Sequence, residues 1–97
     1  MITDERIVTF INSLDTENSK ILEDIEREAR ASDVPIIRRE MQSFLKVLLT
    51  LQKPASILEV GTAVGFSALL MSEYTTDECR ITTIENYEKR IPIARAN

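Results

Sequence analysis

Ile57-Leu58-Glu59-Val60-Gly61-Thr62-Ala63-Val64-Gly65-Phe66-Ser67 is the stretch on which the reading of this chain turns. Its apolar opening reads as a short strand, Glu59 stands near the tip, and two glycines bracket a turn. A helix is expected to begin near Ser67. A strand, turn and helix in this order bring backbone N–H groups and a helix N-terminus towards a ligand's anionic group. Gly61 and Gly65 are the residues that tolerate positive φ and let a ligand approach the backbone without a Cβ in the way.

Glu85, 24 positions after Gly61, closes a second predicted strand, Arg80-Ile81-Thr82-Thr83-Ile84-Glu85. In nucleotide-binding folds an acidic residue roughly 20 positions beyond the glycine turn is placed to accept hydrogen bonds from a ribose diol. The glycine spacing is Gly-x-x-x-Gly, without the third glycine of the dinucleotide fingerprint. No lysine follows, so it is not a Gly-Lys-Ser/Thr phosphate loop.

Glu59 sharpens the choice of ligand. A carboxylate just before the turn repels a pyrophosphate but suits a ligand that carries an amine or another cation. S-adenosylmethionine fits this pattern, since it has an ammonium, a sulfonium, a carboxylate and a ribose diol. Glu59 then serves the ammonium, the helix N-terminus with the Ser67 hydroxyl takes the carboxylate, and Glu85 takes the ribose. The rival reading of residues 56–85 is an ordinary βαβ unit with turn glycines and a solvated glutamate at each strand tip. Glu59, Ser67 and Glu85 standing together at fitting places favour the cofactor.

Working outward, the first 53 residues read as helical and the rest as strand, helix, strand, helix. Ile7, Phe10, Ile11 and Leu14 recur at helical spacing after a Thr3 or Asp4 cap. Asp15-Thr16-Glu17-Asn18 breaks the pattern. The next helix sets Ile21, Leu22, Ile25 and Ala29 on one face against Glu23, Glu26, Arg27 and Arg30 on the other. Pro35 suits the first turn of a third helix, whose apolar set is Ile37, Met41, Phe44, Leu45, Leu48, Leu49 and Leu51. Pro54 ends it. Residues 56–60 lack polar alternation, as expected of a strand buried on both faces. A last helix follows Asn86, with Pro92 in its first two turns.

The chain has 97 residues, 43% hydrophobic and 29% charged, as in globular proteins. No apolar run approaches the roughly 20 residues that span a bilayer. The opening Met1-Ile2-Thr3-Asp4-Glu5 has neither the basic nor the apolar region of a signal peptide, so a cytoplasmic location is expected. Cys79, the single cysteine, reads as a half-buried thiol. Without histidine, these residues hold no Ser-His-Asp or Cys-His arrangement and no histidine-ligated metal. A net charge of −4 gives no support to non-specific nucleic-acid binding.

The segment Ile57–Ala68 resembles motif I of the class I S-adenosylmethionine-dependent O-methyltransferases of the catechol and caffeoyl-CoA type. The likeness is strongest to their bacterial relatives, which include the tRNA 5-hydroxyuridine methyltransferases. Ile81-Thr82-Thr83-Ile84-Glu85, followed by a helix with Ala94 and Asn97, resembles the second motif. Val34-Pro35-Ile36-Ile37, leading into the third helix, is similar to that family's entry helix. The resemblance implies a Rossmann-like α/β fold, here in its N-terminal portion. Residues 1–53 would form a helical region and 54–97 the start of the cofactor domain. It also implies that Glu59, Gly61, Thr62, Ala63, Gly65 and Ser67 line the cofactor loop and that Glu85 meets the ribose.

The implied reaction moves a methyl group to a hydroxyl, with a divalent metal such as Mg assisting in the longer enzyme. The metal ligands and catalytic groups are expected outside this segment, which by itself would be inactive. A phenol or catechol-like small molecule and a tRNA wobble uridine both stand open as acceptors, and a homo-oligomer is expected. Two alternatives stand beside this reading: a nicotinamide-dependent oxidoreductase segment, and a non-catalytic helical module for interaction or dimerisation.

Overall fold

A computed structural model describes residues 4–97. Five helices and two strands run in the order α1 (Glu5–Ser13), α2 (Lys20–Ala31), α3 (Arg39–Gln52), β1 (Ser56–Val60), α4 (Phe66–Glu73), β2 (Arg80–Ile84) and α5 (Ile91–Ala96). Helices followed by a short parallel two-stranded sheet make the opening part of a Rossmann-like α/β fold.

The core sits where α2 crosses α4. Leu22, Ile25 and Ala29 of α2 meet Phe66 and Leu70 of α4 and Val64 of the preceding turn. Leu22 and Leu70 are wholly buried, and each such leucine stabilises the fold by roughly 1.5–3 kcal/mol relative to exposure. Residues on both sides of position 53 therefore share one core.

Each helix starts or stops for a local reason. The Asp4 carboxylate accepts the Arg6 N–H at 2.8 Å and caps α1. Thr3, the other expected cap, lies outside the described residues. Ser19 caps α2 by accepting the Leu22 N–H. At the far end of α2, Asp33 takes φ +55°, the Val34 N–H reaches back to the Ala29 carbonyl at 2.8 Å, and the Asp33 N–H to Arg30 at 3.3 Å. This closure, common with glycine in the left-handed position, turns the chain away. Helix α3 consequently begins at Arg39, four residues later than Pro35 suggested. Val34, Ile36 and Ile37 instead run as a non-helical wall packed against the core.

The expected apolar faces of two helices are corrected by the packing. Helix α1 buries Val8, whereas Ile7, Phe10, Ile11 and Leu14 stay exposed. It packs on α3, and Ile11 and Leu14 line an open hollow shared with Lys46, Val47, Thr50 and Leu51. Helix α3 buries Gln42, Lys46 and Leu49, leaving Met41, Phe44, Leu48 and Leu51 exposed and Leu45 half-buried. In α2, Ile21 is exposed and Glu26, expected on the polar face, is buried. For α2 and α3 the reason lies in one polar network. The Gln42 amide donates to Glu26 at 2.8 Å and to the Ile37 carbonyl at 2.9 Å, and accepts from Asn18 at 3.0 Å. Arg39 and Arg30 each approach Glu26 at 3.2 Å. The buried Gln42 amide and Glu26 carboxylate are thus hydrogen-bonded, as buried polar groups generally are.

Strands β1 and β2 pair in parallel, with Ile57 beside Ile81 and Glu59 beside Thr83. That face turns towards the helices. The opposite face carries Leu58, Val60 and Ile84 into solvent, Val60 at 81% exposure. Burial of β1 on both faces, expected from its unbroken apolar run, is met on one face alone. Among the described residues, no helix is long and apolar enough to cross a membrane.

Candidate functional site

The turn after β1 is stapled to the end of β2. Gly61, at φ +99°, donates its N–H to the Ile84 carbonyl at 2.8 Å, and Thr62 donates to the same oxygen at 3.3 Å. The Gly65 N–H closes the turn onto Thr62 at 2.9 Å, and Gly65 itself, at φ +89°, precedes α4, whose N-terminus has no side-chain cap. A Cβ built on Gly61 would meet nothing within 4 Å, so the turn faces open space there. One on Gly65 would touch Ala94 of α5 at 3.6–3.8 Å. Helix α5 braces the turn a second time, because the Asn97 side-chain amide donates to the Val64 carbonyl at 2.8 Å.

Ala63 sits between the glycines at φ +50°, in the left-handed region that a residue with a Cβ seldom adopts. Its N–H points across to β2 and donates to a Glu85 carboxylate oxygen at 2.6 Å. The other oxygen accepts the Tyr87 N–H at 3.0 Å. Backbone donors, first Tyr87 and then Ala63, hold the Glu85 carboxyl below its ordinary range, with Asn86 and the nearby Arg90 charge acting in the same direction. A carboxylate has about four lone-pair sites, so two such bonds leave Glu85 able to accept more.

Glu59 is held on the same rim. The Thr83 hydroxyl donates to one of its oxygens at 2.7 Å, and the Ser67 hydroxyl donates to the other. The buried Thr62 hydroxyl lies 2.5 Å from that of Thr83. Four residues from the turn, both strands and α4 thus form one chain of contacts.

All seven residues singled out from the sequence, Glu59, Gly61, Thr62, Ala63, Gly65, Ser67 and Glu85, are gathered at one end of the sheet. The Ser67 hydroxyl is directed to Glu59. Thr83, Asn97 and the wall at Ile36 and Ile37 lie in segments that carry the family resemblance but were not among the expected site residues. Thr83 could be found only from strand register, and Asn97 only from where α5 docks. A cleft of about 90 Å³ runs between Ile36 and Ile37 on one side and Gly61, Ala63 and Ser67 on the other. A hollow of about 300 Å³ lies beside Thr62, Thr83 and Glu85, walled by Ile91, Ala94 and Arg95 of α5. Among the described residues, no cluster of three or more His, Cys, Asp or Glu side chains is placed to hold a metal ion.

Comparisons with known proteins bear on the family and the fold. The pattern of the O-methyltransferase family matches residues 12–96. The Bacillus cereus O-methyltransferase, solved in complex with SAH, superposes with a TM-score of 0.78 at 25% identity, over 94% of this chain and 42% of its own. A candidate caffeoyl-CoA O-methyltransferase from Staphylococcus aureus gives 0.82 at 31% identity, over 97% and 44%. The SAH-bound methyltransferase PaMTH1 of Podospora anserina gives 0.83 at 26% identity, over 95% and 41%. The chain therefore spans less than half the length of these relatives, as expected for the N-terminal portion of such an enzyme. With the family pattern matched from residue 12 to residue 96, this chain belongs to the O-methyltransferase family.

Proposed function

We propose that residues 57–85 hold S-adenosylmethionine, for the transfer of a methyl group to a hydroxyl. The observation that carries this is the cross-tie between Ala63 and Glu85, which sets an ionised carboxylate with spare lone pairs against the open side of the Gly61 turn. The donor set suits the cofactor. Glu85 accepts a ribose diol, Glu59 faces an ammonium, and the space a Cβ would fill at Gly61 admits the ligand to the backbone. The SAH-bound relatives support the choice of ligand.

When bound, S-adenosylmethionine supplies an electrophilic methyl group on its sulfonium. The residues of this chain orient it. Glu85, fastened to the turn before any ligand arrives, presents a preorganised acceptor and loses little freedom on binding. Gly61, Thr62, Ala63 and Gly65 shape the loop, and α5 keeps it from yielding.

A small-molecule acceptor follows from the family, and within it a phenol or catechol is our assignment, with a tRNA wobble uridine as the other hydroxyl-bearing acceptor. Assistance by a divalent metal belongs to the same proposal and needs ligands beyond the described residues. So does homo-oligomerisation, for which the exposed Phe10 and Leu14 of α1 and Phe44 and Leu51 of α3 offer apolar surface.

Isothermal titration with S-adenosylmethionine, SAH and NAD tests the reading. Binding of the first two and not of NAD is expected. Binding of NAD alone would overturn it.

A further inference from the structure

We infer that Thr83 is a positioning residue for Glu59, acting with Ser67, so that the amine end of the ligand is read by a carboxylate clamped between two hydroxyls. The inference rests on the cofactor reading above and deepens it. Parallel register sets Thr83 directly beside Glu59 on the helix-facing side of the sheet. Its hydroxyl donates to Glu59 at 2.7 Å while Ser67, at the start of α4, donates to the other oxygen.

Counting hydrogens gives the chain a direction. An ionised carboxylate only accepts, and a hydroxyl has one proton to give. Thr83 spends its proton on Glu59, so in the 2.5 Å contact with Thr62 the donor must be Thr62. Ser67 likewise gives its proton to Glu59. What Glu59, Ser67 and Thr83 turn towards a ligand is therefore a set of acceptor lone pairs. Such a surface selects an N–H or cationic group. In this arrangement the Ser67 hydroxyl serves Glu59.

Because the hydroxyls act through Glu59, their effect should depend on the amine of the ligand. The full protein is titrated with SAH and with 5′-methylthioadenosine, a thioether nucleoside lacking the amino-acid part. Thr83→Val is expected to weaken SAH about tenfold, in line with loss of one hydrogen bond to a charged group, and to leave 5′-methylthioadenosine unchanged. Thr83→Ser should restore the SAH affinity. In a Glu59→Gln background, Thr83→Val should have little further effect, since partners in one network are non-additive. Ser67→Ala, run through the same cycle, gives an independent answer if Thr83→Val fails to fold. Equal losses for both ligands, no loss at all, or additive losses in the cycle would overturn the inference. Failure of the unaltered protein to bind either nucleoside would instead sink the cofactor reading on which it stands.

Discussion

The Glu85 carboxylate accepts the backbone N–H of Ala63 at 2.6 Å, fastening the tip of β2 to the middle of the turn that follows β1. The bond joins the acidic residue read as the ribose acceptor to the one turn residue that holds positive φ without being glycine. The bond goes with the positive φ of Ala63, and together with the Tyr87 N–H it holds the Glu85 carboxylate in place.

The bond makes a pH prediction. Glu85 ionises below its ordinary value of 4.5, because the Tyr87 and Ala63 N–H groups favour the charged form. A carboxyl whose folded pKa is depressed adds stability that is complete above its unfolded value. That contribution fades as pH falls below about 4.5 and is gone once pH passes the folded value. Carbon-detected NMR of the glutamate carboxyls should show Glu85 titrating below the other glutamates, and an ordinary midpoint would refute the cross-tie. Glu85→Ala should also weaken S-adenosylmethionine by at least tenfold, read by calorimetry.

The two glycines separate strain from access. Alanine at either forces a residue with a Cβ into positive φ, which costs roughly 1–2 kcal/mol. Gly61→Ala and Gly65→Ala should therefore lower stability by similar amounts in urea denaturation. Their effects on the ligand should differ. A methyl at position 61 projects into open space where the cofactor is proposed to lie, whereas one at 65 meets Ala94. Much the larger loss of affinity is expected for Gly61→Ala, and equal losses would misplace the ligand.

Gln42 is wholly buried and ties Glu26, the Ile37 carbonyl and Asn18 together. Gln42→Leu keeps most of the volume but strands those partners, and should cost roughly 2–4 kcal/mol. Chemical denaturation of the variant at wild-type stability would show that the network has no structural weight.

Leu70 stands at the crossing of α4 with α2, with no exposed surface. Leu70→Ala leaves a cavity in the shared core and should cost about 2–5 kcal/mol. Leu51→Ala, by contrast, alters a side chain 75% exposed and should stay within about 0.5 kcal/mol of wild type. Parallel thermal melts compare the two, and a larger effect at Leu51 would reverse the assignment of core and surface.

The amino-acid sequence by itself determined the strand, the glycine turn and the seven candidate residues. Glycine after a strand tip and Pro54 after α3 are local constraints on the backbone. They act whatever the rest of the chain does. Strand β1 therefore falls on Ser56–Val60, the span expected of it, and α4 begins within one residue of Ser67.

Tertiary structure decided which helix faces are buried and which groups touch. Met41, Phe44 and Leu48 have helical period enough for a core face, yet α3 turns Gln42, Lys46 and Leu49 inward. The charge of Glu26 on the facing helix has to be neutralised before its surface can be buried. The partnership of Thr83 with Glu59 depends on the register of two strands that are 24 residues apart, and the bracing of Val64 by Asn97 on where α5 comes to rest. Periodicity records what one segment prefers. Pairing across the sheet and between helices is settled only when the segments compete for the same space.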